Sequence, residues 1–140
     1  MFKYLRNLNH SAPPSELECY PYYCEEGSED SDVVVPGMIV TLTSGEITTI
    51  FSANETKFFV VSVDKKNLTA SCVRLFPGMV FEADIEPSVS ADDFTNGHCY
   101  GIYTDDTAKG THLSSSTEEP VFQLISISND KVGKAIAVII

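Results

Sequence analysis

From Val33 onward the chain is interrupted every eight to fifteen residues by Gly, Pro, Asn or Asp, and the runs between are rich in Val, Ile, Thr, Phe and Tyr. Short β-branched and aromatic runs bounded by turn formers predict strands. The pattern predicts them over Met38–Thr43, Glu46–Phe51, Lys57–Val63, Thr69–Leu75, Met79–Ile85, His98–Thr104, Val121–Ser128 and Lys134–Ile140. In the fifth, Met79, Phe81, Ala83 and Ile85 fall on one face and Glu82, Asp84 and Glu86 on the other, so one side meets a core and the other meets water. Lys57–Val63 reads Lys-Phe-Phe-Val-Val-Ser-Val, apolar on both faces, as in a central strand covered on both sides. The expected class is all-β, a small antiparallel barrel or sandwich.

The turns agree. Ser44-Gly45 and Asp64-Lys65-Lys66-Asn67 read as compact hairpin connections, and Asn129-Asp130-Lys131 separates the last two strands. Pro36-Gly37-Met38 and Pro77-Gly78-Met79 each open a strand; proline presets φ and glycine takes the positive φ of a type II turn. The pair reads either as a weak internal duplication or as two uses of one turn. Pro87–Gly97 has room for one helical turn capped by Ser90, with Asp92 and Asp93 in it, and Asp105–Pro120 reads as a polar loop.

Upstream of Val33 the periodicity fades. Pro13, Pro14 and Pro21, the segment Cys19–Cys24 and the acidic run Glu25–Asp32 read as an extended arm, which divides the chain into an arm at 1–35 and a β domain at 36–140. Charge sharpens this division. The 140 residues carry nine Lys+Arg and twenty Asp+Glu, a net −11, to which residues 1–32 contribute seven acids and two bases. Within the arm, residues 1–10 hold Lys3 and Arg6 but no acid. So negative a field repels phosphate, and direct nucleic-acid binding is not expected. Nor does any run approach the roughly 20 apolar residues of a membrane span. The opening residues lack the apolar stretch of a secretory signal, so synthesis in the cytoplasm and reduced thiols are expected.

Candidate chemistry changes little. Cys72 and Cys99 lie in apolar runs and read as buried thiols, whereas Cys19 and Cys24, a C-x4-C pair without a second pair, leave their state open. His98 and Cys99 are neighbours on a strand, point to opposite faces and cannot form a dyad. His10 and His112 have no metal-ligand spacing, Asp92-Asp93 and Asp105-Asp106 lack the calcium-loop pattern, and nucleotide and hydrolase fingerprints are missing. No catalytic residue, metal or cofactor is expected. Phe2, Tyr4, Leu5 and Leu8, interleaved with Lys3 and Arg6, are too short a stretch to hold an isolated helix, and are expected to anchor on a partner or a neighbouring protomer. Tyr20, Tyr22 and Tyr23 are expected either to join that contact or to fold back on their own domain.

The order Pro36–Glu46, an apolar strand at Phe58–Val63, Phe76–Asp84, Gly97–Ile102, Phe122–Ile127 and an apolar last strand resembles the small β-barrel decoration, or cement, proteins of tailed-bacteriophage capsids. The resemblance spans about residues 36–140 and rests on turns and strand edges. It implies a β-tulip-like barrel and a non-enzymatic virion protein that binds the outer surface of an expanded major-capsid lattice, commonly as a trimer, and stabilises the shell. A head-fibre base, a tail or baseplate subunit, or a carbohydrate-binding β-module is the alternative.

Overall fold

The computed structural model describes residues 1–8, 16–24, 33–49, 55–105, 110–128 and 134–140. Its strands are β1 (Phe2–Asn7), β2 (Glu18–Pro21), β3 (Ile39–Thr43), β4 (Glu46–Thr48), β5 (Phe58–Asp64), β6 (Thr69–Arg74), β7 (Met79–Asp84), β8 (Cys99–Tyr100), β9 (Ile102–Asp105), β10 (Gly110–Leu113), β11 (Phe122–Ile127) and β12 (Lys134–Ile139). The first sheet runs β1-β7-β12-β11-β8, the second β2-β6-β5-β3-β4, and β9 and β10 form a separate hairpin. All strand pairs are antiparallel, and the all-β expectation holds.

Between the two sheets lies the first core. Met79, Phe81 and Ala83 of β7 point into it, as the alternation predicts. Phe81 sits opposite Ala137 of β12, and Ala135 opposite Ala83, so small side chains leave room for a ring cluster. Phe2, Tyr4, Phe59 and Phe122 surround Phe81 at centroid distances of 6.3, 5.6, 5.3 and 6.0 Å, all edge-on. The second sheet contributes Ile39 and Val73 to this core, with Phe59 packed against it.

From its other face the second sheet buries Val40, Phe58, Val60, Ala70 and Cys72 in a second core with Tyr22, Val34, Met38 and Ile47. The sheet bends until its edge strands β2 and β4 touch, which encloses that core. Strand β5 therefore has one side in each core, the physical meaning of its doubly apolar run. Between the sheets the β9–β10 hairpin closes one side: Ile39 N–H donates to Thr111 Oγ1 (2.8 Å), Thr104 Oγ1 donates to Thr49 O (3.1 Å), and Glu86 N–H donates to Leu113 O (3.0 Å).

The two Pro-Gly-Met turns are near copies. Gly37 and Gly78 have φ of 92° and 94°, which a Cβ would strain. Met38 and Met79 each donate their N–H to the carbonyl three residues back at 3.3 Å, and each sulfur accepts an N–H at 3.2 Å. The strands they open do not repeat in order, however. β3 pairs with the first strand of the β5–β6 hairpin, whereas β7 pairs with the second strand of β11–β12. One turn used twice accounts for this; a duplication does not.

Three expectations are corrected. Of the expected arm at 1–35, the described residues 1–8 and 16–24 belong to the body instead: β1 is the edge strand of the first sheet and β2 of the second, and Phe2 N–H donates to Gly37 O (2.9 Å). Residues 110–113, expected in a loop, form β10, whose Thr111 and Leu113 are buried. The strand expected at His98–Thr104 is broken at Gly101, whose N–H donates to Ser116 O and whose carbonyl accepts from Ser114 N–H, both at 3.0 Å. A Cβ there would stand 3.0 Å from Glu118 O, so only glycine lets the 114–119 loop lie this close. Ser90 does cap a short 3-10 turn at Ala91–Asp93, as expected. The expected turn at 129–131 lies outside the described residues.

Candidate docking surface

The residues expected to make contacts separate into a buried and an exposed set. Phe2 is 4% exposed and stacks on Phe122 at 5.1 Å and 8°. Tyr4 packs on Phe81. Tyr22 lies in the second core, where its N–H donates to Leu68 O at 3.0 Å. Phe2 and Tyr22 are therefore buried in the chain's own cores, and Tyr4 is half-buried against the first of them. Tyr20 is half-buried, its ring edge-on to Phe58 at 5.3 Å. Its hydroxyl donates to Glu18 Oε1 (2.7 Å), and Arg74 holds Glu18 through Nε (3.0 Å) and Nη2 (2.6 Å) while its guanidinium lies 5.4 Å from the Phe58 ring. Hydrogen bonds from Arg74, then Tyr20, hold the Glu18 carboxyl below its usual range. The cluster fastens β2 to β6.

Lys3, Leu5, Arg6 and Leu8 are exposed, with Tyr23 at 67%. The outward row of the first sheet follows from the register. Lys3 sits opposite Glu82, which sits opposite Ile136, and Arg6 opposite Val80, which sits opposite Val138. Val80 and Val138 are buried on this side too. Asp84 gathers cations at the end of the same row: the Met1 α-amino group at 3.1 Å and Lys134 Nζ at 3.0 Å, with Lys134 also 3.8 Å from Glu82. Burial pushes the Asp84 carboxyl up, but hydrogen bonds and charge from Lys134 and the α-amino group outweigh it and leave it below its usual range. A carboxylate whose pKa is depressed on folding stabilises fully above its unfolded value, near 3.9, and loses that contribution as pH falls through the folded value. Asp84→Asn should therefore lower stability at pH 7 and flatten its decline below about pH 4. Urea midpoints measured across that range would show parallel curves if the pair carried no weight.

Two adjoining clefts open between the sheets. One, of about 390 Å3, is lined by Thr49, Thr104, Ser114, Ser116 and Glu119 with Lys57 at its edge. The other, of about 350 Å3, shares Lys57 and Val121 and adds Leu75, Phe76, Pro120 and Ile140. Burial pushes the Lys57 ammonium down against the pull of Glu55 and Glu119. The cleft wall is held firmly: Ser116 N–H donates to Ser114 Oγ (3.0 Å), Glu118 N–H to Ser116 Oγ (3.2 Å), and the Glu86 carboxylate accepts from both the hydroxyl and the N–H of Ser115.

No family model, curated protein or solved structure matches the chain. The reading of its surface therefore rests on the geometry. Among the described residues no three His, Cys, Asp or Glu side chains gather as metal ligands, and no helix is long and apolar enough to cross a membrane. Cys72 is buried, and burial pushes its thiol up to about 12, an inert state. Cys19 is exposed and Cys24 half-buried, and Cys99, expected to be buried, is also only half-buried. Sequence reading missed the exposed apolar side chains Leu17, Val61, Phe76 and Ile125, since alternation assigns no face to residues at strand ends or bulges.

Proposed function

We propose that the chain is a structural protein of a tailed-phage virion that binds the outside of an expanded capsid and stabilises it. The observation that carries this reading is the placement of the segments behind the resemblance. Pro36–Glu46, Phe76–Asp84, Gly97–Ile102 and Phe122–Ile127 form the turn and β3–β4 hairpin, β7, β8 with the start of β9, and β11, the framework of the two-sheet body. The acidic exterior suits the outer surface of a shell, where no DNA is approached. The mechanism is linkage. A protein that binds only the expanded lattice stabilises it by about 2.7 kcal/mol per site at a hundredfold excess over Kd, and oligomers spanning several subunits add avidity. Purified protein mixed with expanded, undecorated capsids should co-sediment at a copy number approaching that of the capsid subunits. Its absence from the pellet would sink the reading. The hydroxyl-lined cleft beside Lys57 favours one second reading, a carbohydrate-binding module, which predicts retention on a glycan array that is lost in Thr104→Val.

A further inference from the structure

Lys57 and Val121 line both clefts between the sheets, so the two form one groove with unlike halves. At about 390 and 350 Å3, each half falls within the range of about 300–1,000 Å3 in which small ligands are held. One half is polar, with Thr49, Thr104, Ser114 and Ser116. The other is apolar, with Leu75, Phe76, Pro120 and Ile140.

The hydroxyls of the polar half have fixed roles. Thr104 Oγ1 gives its proton to Thr49 O (3.1 Å), so toward a ligand it accepts. Ser114 and Ser116 are the reverse: each oxygen accepts a main-chain N–H, at 3.0 and 3.2 Å, and keeps its own proton to donate. A wall that offers donors and acceptors together suits sugar hydroxyls, each of which gives and takes a hydrogen bond. The same wall is held in a costly conformation. Glu119 has φ of 47°, in the left-handed region, directly before Pro120, where extended backbone is favoured. Strain of this kind concentrates at ligand clamps.

At the junction stand a cation and an apolar side chain. Lys57 Nζ donates to Glu55 O at 3.1 Å, and burial pushes its ammonium down while Glu55 and Glu119 pull it up. Those carboxylates already balance the cation, and the chain carries a net −11, so the groove favours an uncharged ligand. An acetamido group suits the place: its carbonyl accepts from an ammonium and its methyl packs on valine. In the apolar half, Phe76 is 47% exposed and belongs to neither core, and its ring offers a platform for the C–H face of a sugar.

We propose that the joined clefts bind a neutral oligosaccharide bearing an N-acetyl group, with its hydroxyls at Thr104, Ser114 and Ser116, its acetamido at Lys57 and Val121, and a ring face on Phe76. The proposal rests on the carbohydrate reading of the cleft and names the class of sugar. It is independent of capsid binding.

The test is an array of neutral glycans in matched pairs, N-acetylhexosamine against the parent hexose, with triacetylchitotriose against cellotriose among them. The full chain probes the array, and amide NMR titration follows the pair that binds best. The N-acetylated member should bind at least about tenfold more tightly and shift the amides of Gly101, Ser116 and Val121. Lys57→Met should erase that preference, whereas Thr104→Val and, separately, Phe76→Ser should weaken both members. Phe76→Ser should keep the melting midpoint of wild type, since the ring is outside both cores. Equal affinity within every pair overturns the proposal and leaves the carbohydrate reading standing. No binding to any glycan overturns both. Amide shifts with an acetyl-lysine peptide but with no glycan would give the groove to protein ligands and overturn both equally.

Discussion

Replacing Phe2 by alanine should destabilise the protein by about 3–5 kcal/mol, the range for a large ring deleted from a close-packed core. Phe2 lies on the ring of Phe122, edge-on to Phe81, and is buried among Val, Leu, Ala and aromatic side chains of the first sheet. Little around it can collapse into the space, because its neighbours belong to a ladder whose register is set by β7 and β12. A loss of that size is a large part of the 5–15 kcal/mol that holds a typical domain. Removing residues 1–8 should be worse. It strips β1 from β7, takes Tyr4 off Phe81 and breaks the Phe2–Gly37 hydrogen bond between the two halves of the fold. Urea unfolding followed by far-UV dichroism measures the first effect, and a shift below about 1 kcal/mol would mean that β1 is the docking arm that its sequence leads one to expect. Truncation is for the same reason a poor probe of docking. Exposed Lys3, Arg6 and Ile125 test contact without touching the core.

The body of the fold was legible where a single physical rule applied. Met79–Asp84 alternates because one face packs, and Phe58–Val60 is apolar throughout because two cores flank it. The amino-terminal strand was hidden by its own bulge. Phe2, Lys3 and Tyr4 alternate properly, but the extra Leu5 puts an aliphatic out of phase and turns Arg6 to the outer side. Read as a block, the six residues have no period. Strand β2 was obscured by Pro21, which an edge strand tolerates at its end, since Pro21 closes the ladder opposite Thr69. Strand β10 is short, holds Gly110 and His112, and pairs with β9 and, through Leu113, by a single parallel bridge with Ile85. Its order comes from contacts distant in the chain, with Ile39, Glu86 and Met1, which no local pattern reports. The candidate docking surface was half legible for the same reason. Its cations were visible in the sequence, whereas the face they edge depends on the register of four strands.

That hairpin sets up the second large effect, since Thr111→Val should cost about 1–3 kcal/mol despite keeping the side chain's shape. Ile39 opens β3, and its N–H donates to Thr111 Oγ1 at 2.8 Å, with both residues wholly buried. Valine retains the branched Cβ that suits a strand but removes the acceptor, leaving a backbone N–H with neither protein nor water to receive it. The cost is therefore that of a stranded donor, not of lost apolar area. Thr111→Ser separates the two. Serine keeps the hydroxyl and deletes one methyl, worth about 0.8 kcal/mol. The expected order of stability is threonine, serine, valine, with the Ile39 amide exchanging faster in the valine variant. If serine proved the less stable of the two, the methyl rather than the hydroxyl would be what fastens the hairpin to β3, and the buried hydrogen bond would contribute little to joining the second sheet to the edge of the sandwich.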